Sequence, residues 1–195
     1  MKLIGTIQQV QIQREPLKKG EKSPERFYDP APIMVVDGLK LTKRGAFGLT
    51  ADGDAIIDAH HMDHPQTRNR KNANGISFGF TNSYDRMQTN YGDHLAVGIA
   101  GENIIIKQAD DFNMAELGTK LMIKSNDAEI ILEEVMVAPP CREFSCFVYG
   151  KVIDGETLRE TLQYLSDGTR GFYATLCLKQ DGEPIIQAGD EVFMI

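Results

Sequence analysis

The sequence predicts a mostly β, barrel-like domain with a few short helices, of α+β character. Apolar runs of strand length recur along the 195 residues, most of them bounded by Gly, Pro, Asn or Asp. Helical signals are few, and they are short. Hydrophobic residues make up 42% and charged residues 25%, an ordinary balance that supports one folded core and contains no apolar run long enough for a membrane helix. No repeat, low-complexity tract or interdomain linker divides the chain, so one domain is expected over residues 1–195.

The first strand is read in "LIGTIQQVQIQ", where Ile4, Val10 and Ile12 share one parity and the other face is expected to be exposed. The segment "REPLKKGEKSPERFYDPAP" concentrates Pro, Gly and charge, and reads as a surface loop; residues 1–47 are expected to supply a strand and a loop that pack on the barrel. "ADGD" is a turn. "NSYDRMQTNY" is a helix after a cap at Asn82 or Ser83, and "NMAEL" is a single helical turn. "GTKLMIKSNDAEIILEEVMV" reads as two strands joined at Ser125-Asn126-Asp127. In "GETLRETLQYLSDG", Leu158, Leu162 and Leu165 repeat at helical spacing and Asp167-Gly168 supplies a stop. The end of the chain reads as a strand, an Asp181-Gly182 turn and two short strands, so hairpins are expected to dominate this half.

A formal net charge of −7 argues against nonspecific nucleic-acid binding, which needs a positive surface to displace counterions from phosphates. Any anionic ligand must therefore meet a local basic pocket. The N-terminus lacks the continuous apolar segment of an export signal, and three cysteines cannot form a complete set of pairs, so a reducing cytoplasm without disulfides is expected.

The segment "VAPPCREFSC" places Cys141 after two prolines, which lack backbone N–H groups and hold the preceding residue extended. Cys141 is expected at the end of an element, fixed at a strand end and open to a ligand. Its thiolate is the form that attacks, carries sulfur or ligates a metal, and a guanidinium such as that of Arg142 favours that form. An inert thiol after a bend is the competing reading. Cys146 should face away from Cys141 on an extended chain, and Cys177, in "YATLCL", reads as core. "DAHHMDHPQTRNR" carries His60, His61 and His64 but departs from the HExxH zinc pattern; local hydrogen bonding is its simpler reading. Arg68 and Arg70 in the same stretch suit an anion, since arginine grips phosphate with two donors. Glu102 and Asn103 in "VGIAGENIII" either cap a turn or face a cleft. In "SDGTRGFYATL", glycines flank Thr169-Arg170 and either expose donors to an oxyanion or form a plain turn.

Taken in order, "GLTADGDAIIDAHH", "VGIAGENIII", "MAELGTKLMI", "VAPPC", "GTRGFYATL" and "IQAGDEVFMI" resemble the MOSC family, named for the C-terminal domain of molybdenum-cofactor sulfurases. The likeness runs from about residue 48 to 195. It implies a barrel-like fold and the handling of molybdenum cofactor or sulfur, with Cys141 as metal ligand or persulfide carrier. It also implies cofactor-binding roles for Arg142, Arg68, Arg70, Thr169, Arg170, Glu102, Asn103 and His61. Some relatives reduce N-hydroxylated small molecules; a non-catalytic carrier or interaction module is the alternative. The chain shows neither a pyridoxal-phosphate desulfurase domain nor a ferredoxin-type cysteine cluster, so a cysteine desulfurase or an electron-donor protein is the implied partner. A homodimer through exposed strand edges is a further expectation.

Overall fold

The computed structural model describes residues 1–22, 25–69, 75–125, 128–177, 179 and 182–195. The strands are β1 (Lys2–Gln13), β2 (Lys18–Lys19), β3 (Phe27–Tyr28), β4 (Ile33–Val36), β5 (Gly38–Thr42), β6 (Gly45–Leu49), β7 (Ala55–Ile57), β8 (Ile76–Phe80), β9 (Ile104–Gln108), β10 (Leu121–Lys124), β11 (Glu129–Val137), β12 (Phe172–Leu176), β13 (Ile185–Ile186) and β14 (Glu191–Met194). The α-helices are α1 (Thr81–Tyr91), α2 (Arg142–Tyr149) and α3 (Gly155–Leu165), with a 3-10 turn at Met114–Glu116. The main sheet runs β14-β10-β11-β12-β8-β9-β1, and β14 pairs again with β1, closing a seven-strand barrel. β4 extends β1 at one edge. A separate sheet, β13-β5-β6-β7, packs beside it, its Leu39, Leu41, Ala46 and Ile186 joining the barrel core.

β1 buries Ile4, Val10 and Ile12 as the alternation requires, but it also buries Ile7, Gln11 and Gln13. The expected exposed face is therefore wrong. The β1–β9 register shifts between Ile7 and Gln9, which turns Ile7 inward, and the second half of the strand is covered by other chain segments. β8 and β9 pair in parallel, Phe78 opposite Ile104, and α1 lies in the connection between them. Covered on both faces, these strands read as continuous apolar runs rather than alternations. Ile104 and Ile106 face the barrel, while Ile105 packs with Tyr84, Met87, Phe144, Val148 and Leu165 under the helices.

α1 begins at Thr81, earlier than a polar cap would place it. Its N-cap is the buried Phe80, which makes no side-chain cap bond, so core packing sets the start of this helix. α3 ends at Leu165, after which Asp167 (φ 55°) and Gly168 (φ 86°) turn left-handed, as the stop signal predicts. β10 and β11 pair antiparallel; residues 126–127 of their turn lie outside the described residues, as does Asp181. The closing strands are not a hairpin pair. β13 joins β5, and β14 joins β10 and β1, because closing the barrel satisfies more edge groups than a local turn does.

The largest unexpected element is α2. The sequence reading carried an extended chain on past Cys141, but Gly150 (φ 78°) closes a helix whose Phe144 and Val148 are fully buried. In the barrel itself, the Phe78 ring stacks on Phe172 at 5.1 Å and meets Phe80 edge-on at 6.0 Å. Removing a ring so enclosed loses its burial and leaves a cavity. Phe78→Ala should cost about 3–5 kcal/mol in urea unfolding, whereas a loss below about 1 kcal/mol would show that the barrel does not rest on this stack.

Candidate functional site

Cys141 is the N-cap residue of α2, in extended conformation (φ −127°, ψ 159°). This corrects the expected strand end: the prolines do place the thiol at the end of an element, but the element is the helix that follows. Its carbonyl accepts from the Ser145 amide and hydroxyl, each at 2.9 Å, so the backbone makes the cap and the thiol does not. The half-buried side chain lines a cavity of about 260 Å³ together with Lys18, Tyr28, His60, Arg68 and Arg170. Gln13, Leu17, Asn69 and Tyr173 complete much of its wall. Segments far apart in the chain, from residues 13–18, 60–69, 139–141 and 170–173, thus meet at one cavity.

The cavity hangs from a buried carboxylate. Asp58 is 0% exposed and follows β7. Its Oδ2 accepts from the Gln13 amide (2.8 Å) and from Asn103 Nδ2 (3.1 Å); its Oδ1 accepts from the His60 amide (2.8 Å) and pairs with His60 Nδ1 (3.2 Å). Burial opposes ionisation, but the His60 contacts and the two backbone donors outweigh it and hold the carboxyl below its usual range. A carboxylate only accepts, so Nδ1 carries the proton and Nε2 is the nitrogen left to the cavity.

Asn103 explains the "GEN" turn. It exchanges hydrogen bonds with Ser77, whose amide and hydroxyl donate to its Oδ1 at 3.0 and 2.9 Å, while its own amide donates to Ser77 Oγ at 3.1 Å. Gln11 and Gln13 of β1 donate to the carbonyls of Gly98 and Gly101, both at 2.7 Å. Both glycines are left-handed, at φ 84° and 86°, and a Cβ on Gly101 would stand 2.6 Å from Leu17 Cδ1. Glu102 is equally buried, and burial pushes its carboxyl up despite Arg170 and a hydrogen bond from the Tyr84 hydroxyl. Glu102 and Asn103 therefore buttress the site and are not among the residues lining the cavity.

Arg170 holds the other wall. Its Nη2 donates to the Ala100 carbonyl at 3.3 Å, and its guanidinium sits 5.7 Å from the Phe144 ring centre. Burial opposes its charge, but Tyr173, Glu102, Tyr28 and Cys141 outweigh burial and raise its pKa. Thr169, 8% exposed, belongs to the turn after α3 and donates its amide to Ser166; it does not line the cavity. Arg142 is not among the residues lining the Cys141 cavity. As the first residue of α2 it lines a second cavity, while the Arg170 guanidinium shares the first with the Cys141 thiol. His61 is 2% exposed, with Nε2 3.3 Å from Thr42 Oγ1 and its ring against Phe47 at 4.6 Å. Burial lowers its pKa, and it is His60, its neighbour, that lines the cavity. Arg70 lies outside the described residues. Among the described residues, no three His, Cys, Asp or Glu side chains are grouped to hold a metal ion.

The lining residues not singled out from the sequence include Lys18, Tyr28, Asn69 and Tyr173. Tyr28 donates its hydroxyl to the Ile99 carbonyl at 2.7 Å and stands edge-on to Phe144 at 5.0 Å. It sits in a segment that reads only as a charged loop. The Asp58-x-His60 spacing was the available signal for His60, since an aspartate commonly bonds the backbone two residues on.

A family model for the MOSC domain matches residues 67–193, two thirds of the chain. The chain belongs to the MOSC domain family. That family is linked to molybdenum-cofactor and sulfur-related proteins. No curated protein matches the chain. Among solved structures, the YUAD protein from Bacillus subtilis superposes with a TM-score of 0.51 at 14% identity, over 95% of this chain and 96% of that one. A second, described as a hypothetical protein, gives a TM-score of 0.53 at 12% identity, over 97% of this chain and 69% of the other. At such identities the likeness carries the MOSC fold alone. No helix of the described residues is long and apolar enough to cross a membrane.

The Asp58 hydrogen bonds make a pH signature. A carboxyl held below its unfolded value adds stability above that value, near pH 4, and loses it as pH falls through the lower folded value. The stability gap between wild type and Asp58→Asn, from thermal melts, should shrink from about pH 6 to about pH 2.5. A gap that is constant across this range would mean that the carboxylate charge contributes nothing.

Proposed function

We propose that this MOSC protein binds a molybdenum cofactor, with Cys141 as the thiolate ligand to the metal, and reduces N-hydroxylated small molecules. The observation that carries the reading is the convergence of the Cys141 thiol with Arg68, Arg170 and Lys18 on one cavity in an acidic chain. A metal already held by its own pterin needs only one soft ligand from the protein, so a lone cysteine fits where a cluster of ligands would otherwise be needed. The three cations fit the pterin phosphate, and Arg68 and Arg170 suit two-point contact. The residues present therefore fit the group.

When bound, the cofactor supplies the two-electron redox chemistry that reduces a hydroxylamine, with two protons, to an amine and water. The chain's own residues do the rest. The α2 cap fixes the Cys141 backbone, which sets its side chain on the cavity wall. His60, oriented by Asp58, is left with an unprotonated Nε2 as a site that can take up a proton and then pass it on. Leu17, Tyr28 and Pro139 give the wall an apolar portion that limits water. Electrons must come from a donor protein, and in the carrier version of this reading sulfur would come from a cysteine desulfurase.

The test is Cys141→Ser in a host that makes the cofactor. The cap is made by the Cys141 carbonyl and the thiol is half-buried, so stability should change by less than about 1 kcal/mol. Wild type should purify with near-stoichiometric molybdenum and the variant without it. Persulfide without molybdenum in the wild type would favour the sulfur-carrier version. Equal molybdenum in both proteins, or neither molybdenum nor persulfide in the wild type, would overturn the assignment.

A further inference from the structure

A second cavity, of about 540 Å³, shares Tyr28 with the first and takes no part in the reading above. Arg26, just before β3, lines it. The Arg26 amide donates to the Lys22 carbonyl at 2.8 Å, which fixes the backbone, yet its Nε and Nη2 are buried and have no hydrogen-bond partner. These two nitrogens are not an arbitrary pair. Their N–H bonds project from the same edge of the guanidinium, the edge that grips a carboxylate or phosphate through two parallel hydrogen bonds. A buried guanidinium edge without acceptors is costly, and an oxyanion there would satisfy both donors at once.

The surrounding charge favours an anion. Arg142 and Lys151 line the same cavity, and Lys151 Nζ stands 5.6 Å over the Tyr149 ring. Glu25 and Glu143 oppose them. Glu143 is paired, however, with Lys18 of the first cavity, whose Nζ lies 3.8 Å from Oε2. Burial works against the Glu143 charge, but its own backbone amide, Lys18, the Cys141 thiol and Arg26 outweigh it and hold the carboxyl below its usual range.

The remaining wall is aromatic. Tyr28 and Phe147 meet at 5.2 Å, and Phe27 is 56% exposed beside them. His94 Nε2 lies 3.1 Å from the carbonyls of both Phe147 and Val148; carbonyls only accept, so this nitrogen carries the proton and the ring is locked edge-on to Phe147. A cavity of this size takes a one- or two-ring ligand. We propose that it is a binding site for a small aromatic oxyanion, a phosphate monoester or carboxylate on a flat ring, toward which the Arg26 side chain turns so that its Nε and Nη2 edge meets the oxygens while the ring packs among Tyr28, Phe27 and Phe147.

The probes are phenyl phosphate and benzoate, titrated separately into ¹⁵N-labelled protein, with the Arg26 Nε–H signal and the Phe147 and Lys151 amides as readouts. At least one probe should shift these signals saturably and more tightly than inorganic phosphate or acetate does. Arg26→Gln should weaken binding about 10- to 100-fold, as expected for losing charge-assisted hydrogen bonds. Lys40→Gln, in the four-stranded sheet, should leave it unchanged. Should Arg26→Gln not fold, Arg26→Lys, which keeps the charge and loses the fork, must also bind more weakly. No saturable shift with either probe, no preference over inorganic phosphate and acetate, or undiminished affinity in the Arg26 variant that folds, would overturn the proposal. None of these outcomes depends on molybdenum loading.

Discussion

The carboxylate of Asp58 divides its work between two oxygens, and the site depends on that division. Oδ2 takes donors from β1 and from the "GEN" turn, the scaffold; Oδ1 takes both donors from His60, the part that meets the cavity. A carboxylate removed from water is costly unless its lone pairs are filled, and here hydrogen bonds from three chain segments fill them. The satisfied charge then acts as a joint: moving β1, the turn or the histidine alone would break a charge-assisted bond in a place water does not reach.

A second buried acid shows what happens without that set of donors. Glu102 adjoins Asn103 in the sequence and is as deeply buried, yet its carboxyl is pushed up, because the Tyr84 hydroxyl and Arg170 only partly offset burial. Gly79 and Gly171 leave room for it; a Cβ at Gly171 would stand 3.0 Å from Glu102 Oε1. The two acids thus give one core opposite electrostatics, a carboxyl held low under His60 and one pushed up near Arg170. Each stands beneath a residue that lines the cavity.

The barrel was legible because its strands are short, apolar and separated by turn residues, and the end-of-element position of Cys141 followed from Pro139-Pro140. The helix after Cys141 was hidden by the same prolines, which drew attention to extended chain, although the spacing of Phe144, Phe147 and Val148 and the Gly150 stop carried its signal. Arg142, as the first residue of that helix, lines the second cavity rather than the first. The parallel pairing of β8 with β9 could not be read from local pattern, because fully buried strands lose alternation and parallel partners meet only through a crossover. His60 and His61 differ by one position in a turn, where no periodic rule says which of the two faces a cavity. Only the Asp58 contact separates them.

The most direct test of this account is the protonation pattern of the His60 ring, read by long-range ¹H–¹⁵N correlation at a pH where the ring is neutral. An ionised Asp58 against Nδ1 requires the proton on Nδ1 and an unprotonated Nε2 facing the cavity. The opposite tautomer in the wild type would show that Asp58 does not orient His60, and the joint proposed to organise the site would not exist.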